Sequence, residues 1–197
     1  MKKINWYIKR LWKMPLQEIP YRLNQAVLKK YDKISSSYNP PLERISNLNF
    51  IRISEFLSGE NFANHVQLSD REILADEAGN IIQHKFNIFG VEVDFGSPIN
   101  FHLDPKTGKS WPLKFWGDVD YRDGKTVGGI KFAWELNRLQ HWPRLAMACH
   151  LTGNRKYCQE VLSELDRWIK ENPYPKGINW ISGIELGLRM VSLFYSL

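Results

Sequence analysis

Two predicted helices contain most of the residues whose types could do chemistry. The first includes KFAWELNRLQHW, residues 131–142, in which aromatic side chains alternate with polar and charged ones. On one continuous helix at about 100° per residue, Trp134, Arg138 and His141 share a face, with Asn137 beside them. An indole can stack on a sugar ring, and a guanidinium can pair with a carboxylate or sulfate. This pattern predicts either a binding face for a charged sugar or a solvated face on which Glu135 pairs with Arg138.

The second helix, predicted over residues 181–197, is apolar except for one narrow stripe. The polar residues of that stripe are Ser182, Glu185, Arg189, Ser192 and Ser196. Glu185 and Arg189 have i,i+4 spacing in the favourable order, which predicts an ion pair that is either buried and structural or turned towards a ligand. Upstream, Asn179 and Trp180 stand at the helix entrance, where the dipole favours an anion. Asn179 could equally be a loop or cap residue.

Other catalytic patterns are weak or absent in the sequence. Asp118 and Asp120 could form a carboxylate pair, although Asp in a Gly-rich segment more often stabilises a turn. The five histidines show no clustered ligand spacing, so we predict no protein-built metal site and no cofactor. We find no Gly-rich phosphate loop, no nucleophile elbow and no basic recognition helix, and we expect no nucleic-acid partner.

Composition describes a globular protein with a positive charge. The chain has 197 residues, 43% of them hydrophobic, eight Trp and a net charge of +6. The charge favours an anionic partner such as an acidic polysaccharide, or it only provides solubility. Cys149 and Cys158 are too few for a disulfide framework, and we predict reduced core residues. No apolar run is long enough to span a membrane, and Lys9, Arg10 and Lys13 interrupt the N-terminal segment where a secretory signal would be apolar. We therefore expect a cytoplasmic location.

The part of the chain before residue 129 is predicted to contain a helical lead-in, a linker and a long irregular segment. Residues 3–33 are predicted to be helical with a break near Met14–Pro15, followed by a Pro-rich linker at 35–41. Residues 48–128 are predicted to be irregular: HKFNIFGVEVDFG alternates as short strands do, and a long ordered loop follows.

Three helices are predicted after this irregular segment, over about 130–151, 154–171 and 181–197. Gly153 suits the position that follows the helix over 130–151. Asn154 suits the N-cap of the helix over 154–171, which ends at Asn172-Pro173. The short connections predict antiparallel hairpins. The last helix has no stop signal before Leu197, so we expect a continuing helical array and self-association through its apolar surface.

Several motifs together resemble a known family. WELNRLQH, WIKENP, GINW and the spaced Glu185 and Arg189, with the lead-in segments PLQEIPYRL and INFHLDPKTGKSWP, resemble the N-terminal helical domain of heparinase II/III-like proteins. The resemblance implies a mainly α fold, a partial (α/α) toroid of antiparallel helical hairpins preceded by an irregular, weakly β segment. It implies a lead-in at 1–47, the irregular segment at 48–128 and the toroid helices at 129–197. We expect the toroid to continue beyond residue 197.

The same resemblance implies a function. Such proteins cleave uronate-containing acidic polysaccharides by β-elimination, with an Asn that neutralises the carboxylate and with Tyr and His as acid and base. These catalytic residues would fall after Leu197, so none is assigned here. The motif positions expected to line or shape the toroid are Trp134, Glu135, Asn137, Arg138, Asn179, Trp180, Glu185 and Arg189, and His141 joins the predicted substrate-binding set through the helical wheel. The alternatives are a non-catalytic module that binds an acidic glycan and an (α/α) glycoside hydrolase that uses Asp118 and Glu135.

Overall fold

The computed structural model describes residues 14–35 and 67–197. The chain divides into two compact units, Met1–Pro40 and Pro41–Leu197. In the first unit, helix α1 (Glu18–Ser35) begins after Pro15, as the predicted break near that proline requires. The beginning of the predicted first helix and nearly all of the predicted linker lie outside the described residues.

The second unit begins, in its described part, with a helix that the sequence did not predict. Helix α2 (Leu68–Ile82) occupies part of the segment expected to be irregular, and that expectation was wrong here. No side chain caps its N-terminus, and Gly79 lies in its interior. Because intrinsic helix signals are weak, the packing of Ala78 and Ile81 into the core accounts for the helix.

A short hairpin follows α2 and confirms the predicted strands. Strands β1 (Lys85–Ile88) and β2 (Val91–Asp94) are antiparallel, with Phe86 opposite Val93. The turn residues Phe89 and Gly90 have φ values of 54° and 75°, the left-handed backbone that a tight hairpin turn needs.

The predicted long loop is ordered by polar contacts. It contains the strands β3 (Leu103–Asp104) and β4 (Lys109–Ser110) and a 3-10 turn at Trp116–Asp118. The buried Asp104 accepts hydrogen bonds from the backbone N–H groups of Lys106 (2.8 Å) and Thr107 (3.3 Å). A Cβ on Gly128, where φ is 139°, would lie 2.0 Å from Asp104 Oδ2, so only glycine fits against this turn.

One histidine fastens this loop to the helical part. His102 Nε2–H donates to the carbonyl of Glu171 at 3.1 Å. Burial lowers the pKa of His102 below its usual value, although the hydrogen bond and the charge of Glu171 act in the opposite direction. His102 therefore prefers to be neutral in the folded protein.

The C-terminal part contains four helices instead of the three predicted. They are α3 (Ile130–Asn137), α4 (His141–Thr152), α5 (Arg155–Glu171) and α6 (Gly183–Ser196), with a 3-10 turn at Ile178–Trp180 before the last. The predicted single helix over 130–151 was wrong, because Leu139 adopts a left-handed φ of 58° and ends it. Pro143, four residues after Leu139, marks this break, because a proline inside a continuous helix would lose the hydrogen bond to the Leu139 carbonyl and clash with it, whereas it fits the first turn of α4. The side chain of Leu139 is fully buried, and that burial offsets the backbone cost.

The connection between α4 and α5 matches its sequence signals. Gly153 has a φ of 70°, and the side chain of Asn154 accepts a hydrogen bond from the Lys156 N–H. This tight turn returns α5 along α4 and places Cys149 and Cys158 with their Cα atoms 5.8 Å apart. The two cysteines form a disulfide, so the prediction of reduced core cysteines was wrong. Two cysteines near a helix–helix turn can pair without any larger framework.

Helix α4 lies at the centre of the helices described in the second unit and packs against α2, α5 and α6. Its Trp142, Leu145 and Ala148 are fully buried in the main core, together with side chains from the hairpin and the long loop. The described part of the protein is therefore mainly α, as predicted. Within residues 14–35 and 67–197, no helix is long and apolar enough to cross a lipid bilayer.

Candidate functional site

The predicted polar residues meet where α3, α5, α6 and the turn before α6 come together. Asn137, the last residue of α3, is fully buried. Its Nδ2 donates to the carbonyls of Phe101 (2.6 Å) and Ala133 (2.7 Å). Its Oδ1 accepts from Trp168 Nε1 (2.7 Å) and Asn179 Nδ2 (2.8 Å). These four contacts use the whole hydrogen-bonding capacity of the amide, so Asn137 connects elements of the protein.

Arg189 completes this buried network from α6. Its Nε donates to the Asn137 carbonyl at 2.9 Å, and its two terminal nitrogens lie 3.4 Å from the Asn179 carbonyl. The guanidinium also lies 4.6 Å from the ring centre of Trp168, a cation–π distance. Burial lowers the pKa of Arg189 to about 10, with Glu185 opposing the shift, so the side chain stays charged at neutral pH.

The ion pair predicted within α6 has a different partner in the structure. Glu185 accepts two hydrogen bonds from Arg138, at 2.8 Å from Nε and 3.0 Å from Nη2. The remaining nitrogen Nη1 pairs with Glu135, as the i,i+3 spacing predicts. These contacts, led by the hydrogen bond to Glu185, raise the pKa of Arg138, and burial opposes them. The predicted Glu185–Arg189 pairing was wrong, although the burial of both residues is confirmed.

His141 does not share a face with Arg138, and this corrects the helical wheel. The break at Leu139 starts a new helix at His141, whose Nε2 lies 2.8 Å from Glu164 Oε2. Trp142 Nε1 donates to the same oxygen at 2.6 Å. Burial alone would raise the pKa of Glu164, but the charge of His141 and these hydrogen bonds outweigh it and the net shift is downward.

Sequence reasoning missed Glu164, although its position carried a signal. Val161, Leu165 and Trp168 lie on the core-facing side of α5 at i,i+3 and i,i+4 spacings, and Glu164 falls among them. A carboxylate on the apolar side of a helix must find a partner when it is buried. The pattern could therefore have identified Glu164 as a polar core residue, but not its partners.

The two predicted sugar-stacking indoles are both half-buried. Trp134 Nε1 donates to the Ile178 carbonyl at 3.1 Å, and its ring lies 5.8 Å from Tyr121. The ring of Trp180 is 5.2 Å from Tyr174 and 6.1 Å from Trp168. Each ring keeps part of its surface accessible, so Trp134 and Trp180 can still offer surface to a ligand.

A separate open cleft of about 460 Å³ lies beside this network, between α2, the hairpin and the α3–α4 break. It is lined by both signs of charge. The ionisable lining residues are Glu77, Lys85, Glu92, Glu135, His141 and Arg144. Of the predicted substrate-binding residues, His141 reaches this cleft, as does the motif residue Glu135. The structure thus brings together Asn137, Asn179, Arg189 and their neighbours, and places His141 on the other side of the helix break.

The geometry defines a helical domain in which a polar network joins the WELN, GINW and E…R motifs. A family model described as Heparinase II/III N-terminus matches residues 24–195. Because this match covers most of the chain, the protein belongs to the heparinase II/III N-terminal family.

Two known proteins are similar to parts of this chain. A heparin-sulfate lyase of Pedobacter heparinus is 29% identical over 80 residues, which are 41% of this chain and 9% of that protein. A crystal structure of a heparan sulfate lyase HepC mutant from Pedobacter heparinus matches 87% of this chain and 23% of its own, with 20% identity and a TM-score of 0.47. This chain therefore spans a small part of the length of these relatives.

Proposed function

We propose that this chain is the N-terminal part of a polysaccharide lyase that acts on a uronate-containing acidic polysaccharide. The observation that carries the proposal is the family match over residues 24–195. In the reaction, a base removes the C5 proton of the uronate, the C4=C5 double bond forms, and the bond from C4 to the leaving oxygen breaks. An acid protonates that oxygen. The proposal assigns the catalytic Asn, Tyr and His to a part of the protein outside residues 1–197, and helices α3–α6 to the first hairpins of an (α/α) toroid.

Within this domain, burial separates two proposed roles. Asn137, Asn179 and Arg189 are at most 4% exposed and bond to protein groups, so they position the surrounding elements. The half-buried indoles of Trp134 and Trp180 are proposed to stack on sugar rings. His141 is bonded to Glu164 and serves in the proposal as a support of the cleft wall.

The Arg138 cluster is not a ready site for a sugar carboxylate. One guanidinium faces the two carboxylates of Glu135 and Glu185, so the group carries a net negative charge. A uronate would have to displace Glu135, whose side chain is 22% exposed against 6% for Glu185. Arg138 is therefore proposed to contact sugar hydroxyls, and Glu185, which is 4% exposed and accepts two hydrogen bonds from Arg138, is proposed to position it.

Attraction of an acidic chain is proposed to come from lysines on the long loop beside α3. Lys106 lies exposed over the Phe132 ring at 4.7 Å, and Lys109 donates to the Thr126 carbonyl at 3.1 Å. Exchanging both lysines for Gln should weaken binding of a sulfated or uronate polysaccharide and reduce its salt dependence. Lys156→Gln, an exposed lysine at the start of α5, is the matched control and should leave binding unchanged.

The deciding experiment uses the whole protein, obtained by reading the coding DNA on both sides of this segment. It is incubated with heparan sulfate, with alginate and with a neutral glucan. A lyase produces ultraviolet-absorbing products with a C4=C5 bond and incorporates no water. Products that contain one added water would refute the lyase and favour a glycoside hydrolase, for which Asp118 and Glu135 are the carboxylates to exchange. Binding of the acidic chains with no cleavage would refute catalysis and favour an acidic-glycan binding module.

A further inference from the structure

A second group of ionisable residues lies apart from the Asn137 network. His84, between α2 and β1, meets Glu160 and Glu164, which are one turn apart on α5. Each of the three offers one ligand atom, and these atoms all lie within 4.8 Å of one another. His84 and Glu164 are buried, and the Glu160 side chain is 27% exposed. The local sequence spacing could not predict this group, because His84 is 76 residues from Glu160.

The contacts of His84 fix which nitrogen carries a proton. Its Nδ1 lies 2.8 Å from the Gly96 carbonyl, which can only accept, so Nδ1–H is the donor. Its Nε2 lies 3.4 Å from Glu160 Oε1. In the neutral ring, a lone pair on Nε2 then faces a carboxylate oxygen, and the two repel each other. Either a second proton on the ring or a cation between the two atoms removes this repulsion.

Glu164 provides an independent observation that favours the cation. Its Oε2 already accepts hydrogen bonds from His141 and Trp142. Its Oε1 is buried and has no hydrogen-bond partner among the residues that the structure describes. Because an unsatisfied buried carboxylate oxygen is costly, a ligand at this oxygen would be stabilising. A protonated His84 paired with Glu160 would leave Glu164 Oε1 unsatisfied, whereas a cation can bind both carboxylates.

We propose that His84 Nε2, Glu160 and Glu164 bind one divalent transition-metal ion of the Zn²⁺ type. Two carboxylates and a neutral imidazole balance the charge of such an ion. Metal–ligand bonds of about 2.0–2.2 Å place ligand atoms at most about 4.4 Å apart, so a small movement of the partly exposed Glu160 closes the site. Imidazole nitrogen suits Zn²⁺ and the later first-row ions such as Co²⁺ and Ni²⁺ better than Ca²⁺ and Mg²⁺, which prefer oxygen ligands.

The surroundings match those of a metal site. The Gly96 carbonyl holds the His84 ring, and His141 and Trp142 hold the second oxygen of Glu164. Such outer contacts orient the ligands of protein-bound metals. The exposed side of Glu160 leaves positions that water can fill. The ion joins the corner between α2 and β1 to α5, so its proposed role is structural.

The test uses the full chain after treatment with a chelator, with the disulfide intact. Titration with Zn²⁺ in a calorimeter should show one equivalent, and Zn²⁺ should raise the thermal midpoint. Co²⁺ should bind with weak visible bands and without the intense near-ultraviolet band of thiolate ligation, which excludes reduced Cys149 and Cys158 as ligands. Wild-type protein that binds no equivalent of Zn²⁺ or Co²⁺ would overturn the proposal directly, whatever the variants do.

One variant tests a proposed ligand, and a second variant is its control. Glu160→Gln keeps the size of a partly exposed side chain and removes one charged ligand. It should weaken Zn²⁺ binding by more than about 10-fold, because loss of a residue that only hydrogen-bonds a metal ligand already costs about 10-fold to 100-fold. His150→Gln removes an exposed histidine on α4 and should leave affinity unchanged. If Glu160→Gln is folded by circular dichroism and binds with wild-type affinity, or if His150→Gln removes the binding, the assigned site is wrong.

Discussion

Asn137→Ala tests whether the buried amide holds the domain together. The exchange leaves the buried Trp168 Nε1 without its acceptor and the Phe101 carbonyl without this donor. Asn179 keeps its bond to Asn172 Oδ1, and the Ala133 carbonyl keeps its place in α3. Each orphaned buried group costs about 1–3 kcal/mol, so the free energy of unfolding should fall by about 2–6 kcal/mol. A typical domain has about 5–15 kcal/mol in total, so this is a large part of its stability.

Urea unfolding followed by tryptophan fluorescence and circular dichroism measures this change. With an m value of about 2 kcal/mol/M, the midpoint should fall by about 1–3 M. Asn80→Ala is the matched control, because Asn80 is an exposed asparagine inside helix α2. The control should stay within about 0.5 kcal/mol of the wild type. A similarly small change for Asn137→Ala would show that the network does not stabilise the fold and would return Asn137 to the list of ligand-binding residues.

Three further predictions concern other parts of the structure. Because the folded protein lowers the pKa of His102, the unfolded chain takes up the proton first, and stability should fall as pH decreases below about 6.5. His102→Gln keeps a donor for the Glu171 carbonyl but has no group that titrates in this range. In urea melts, the variant should therefore lose less unfolding free energy than the wild type between neutral and mildly acidic pH, and equal losses would contradict this. Reducing the Cys149–Cys158 disulfide, which closes a loop with a separation of 9 residues, should lower the unfolding free energy by about 2–3 kcal/mol, and an unchanged melt in reductant would count against it. Finally, the exposed apolar side chains of α6 should cause self-association: light scattering should show a mass that grows with concentration, and Phe194→Ser with Met190→Ser should reduce it, whereas a wild-type monomer at high concentration would refute the idea.

Local signals in the sequence predicted several elements well. Gly153 and Asn154 marked the turn between α4 and α5, because left-handed backbone and N-cap hydrogen bonds depend on the residue itself. Alternation of apolar residues marked β1 and β2 for the same local reason. The motifs that resemble heparinase II/III-like proteins identified the family, which the match over residues 24–195 shows.

Other features depend on burial in the core and were mispredicted. Helix α2 forms where capping and periodicity are poor, since its stability comes from burial of Ala78 and Ile81 in the core. The left-handed conformation of Leu139 itself has no sequence marker, because the burial of its side chain offsets an unfavourable backbone, although Pro143 indicated that the helix must break in the turn before it. The break at this residue starts a new helix at His141 with its own direction, so a helical wheel drawn over both helices placed His141 on the wrong face.

The chemistry of the candidate sites follows the same division. The sequence by itself determined that Glu185 and Arg189 stand on an apolar helix and must find partners when buried, whereas it left Asn137 on a face that was either solvated or sugar-binding. Only the tertiary structure decided the partners: Glu185 pairs with Arg138, 47 residues away, and Arg189 with the carbonyls of Asn137 and Asn179. The physical reason is that a hydrogen bond depends on distance and direction in space, whereas sequence spacing fixes these only within one turn of a continuous helix or along one strand.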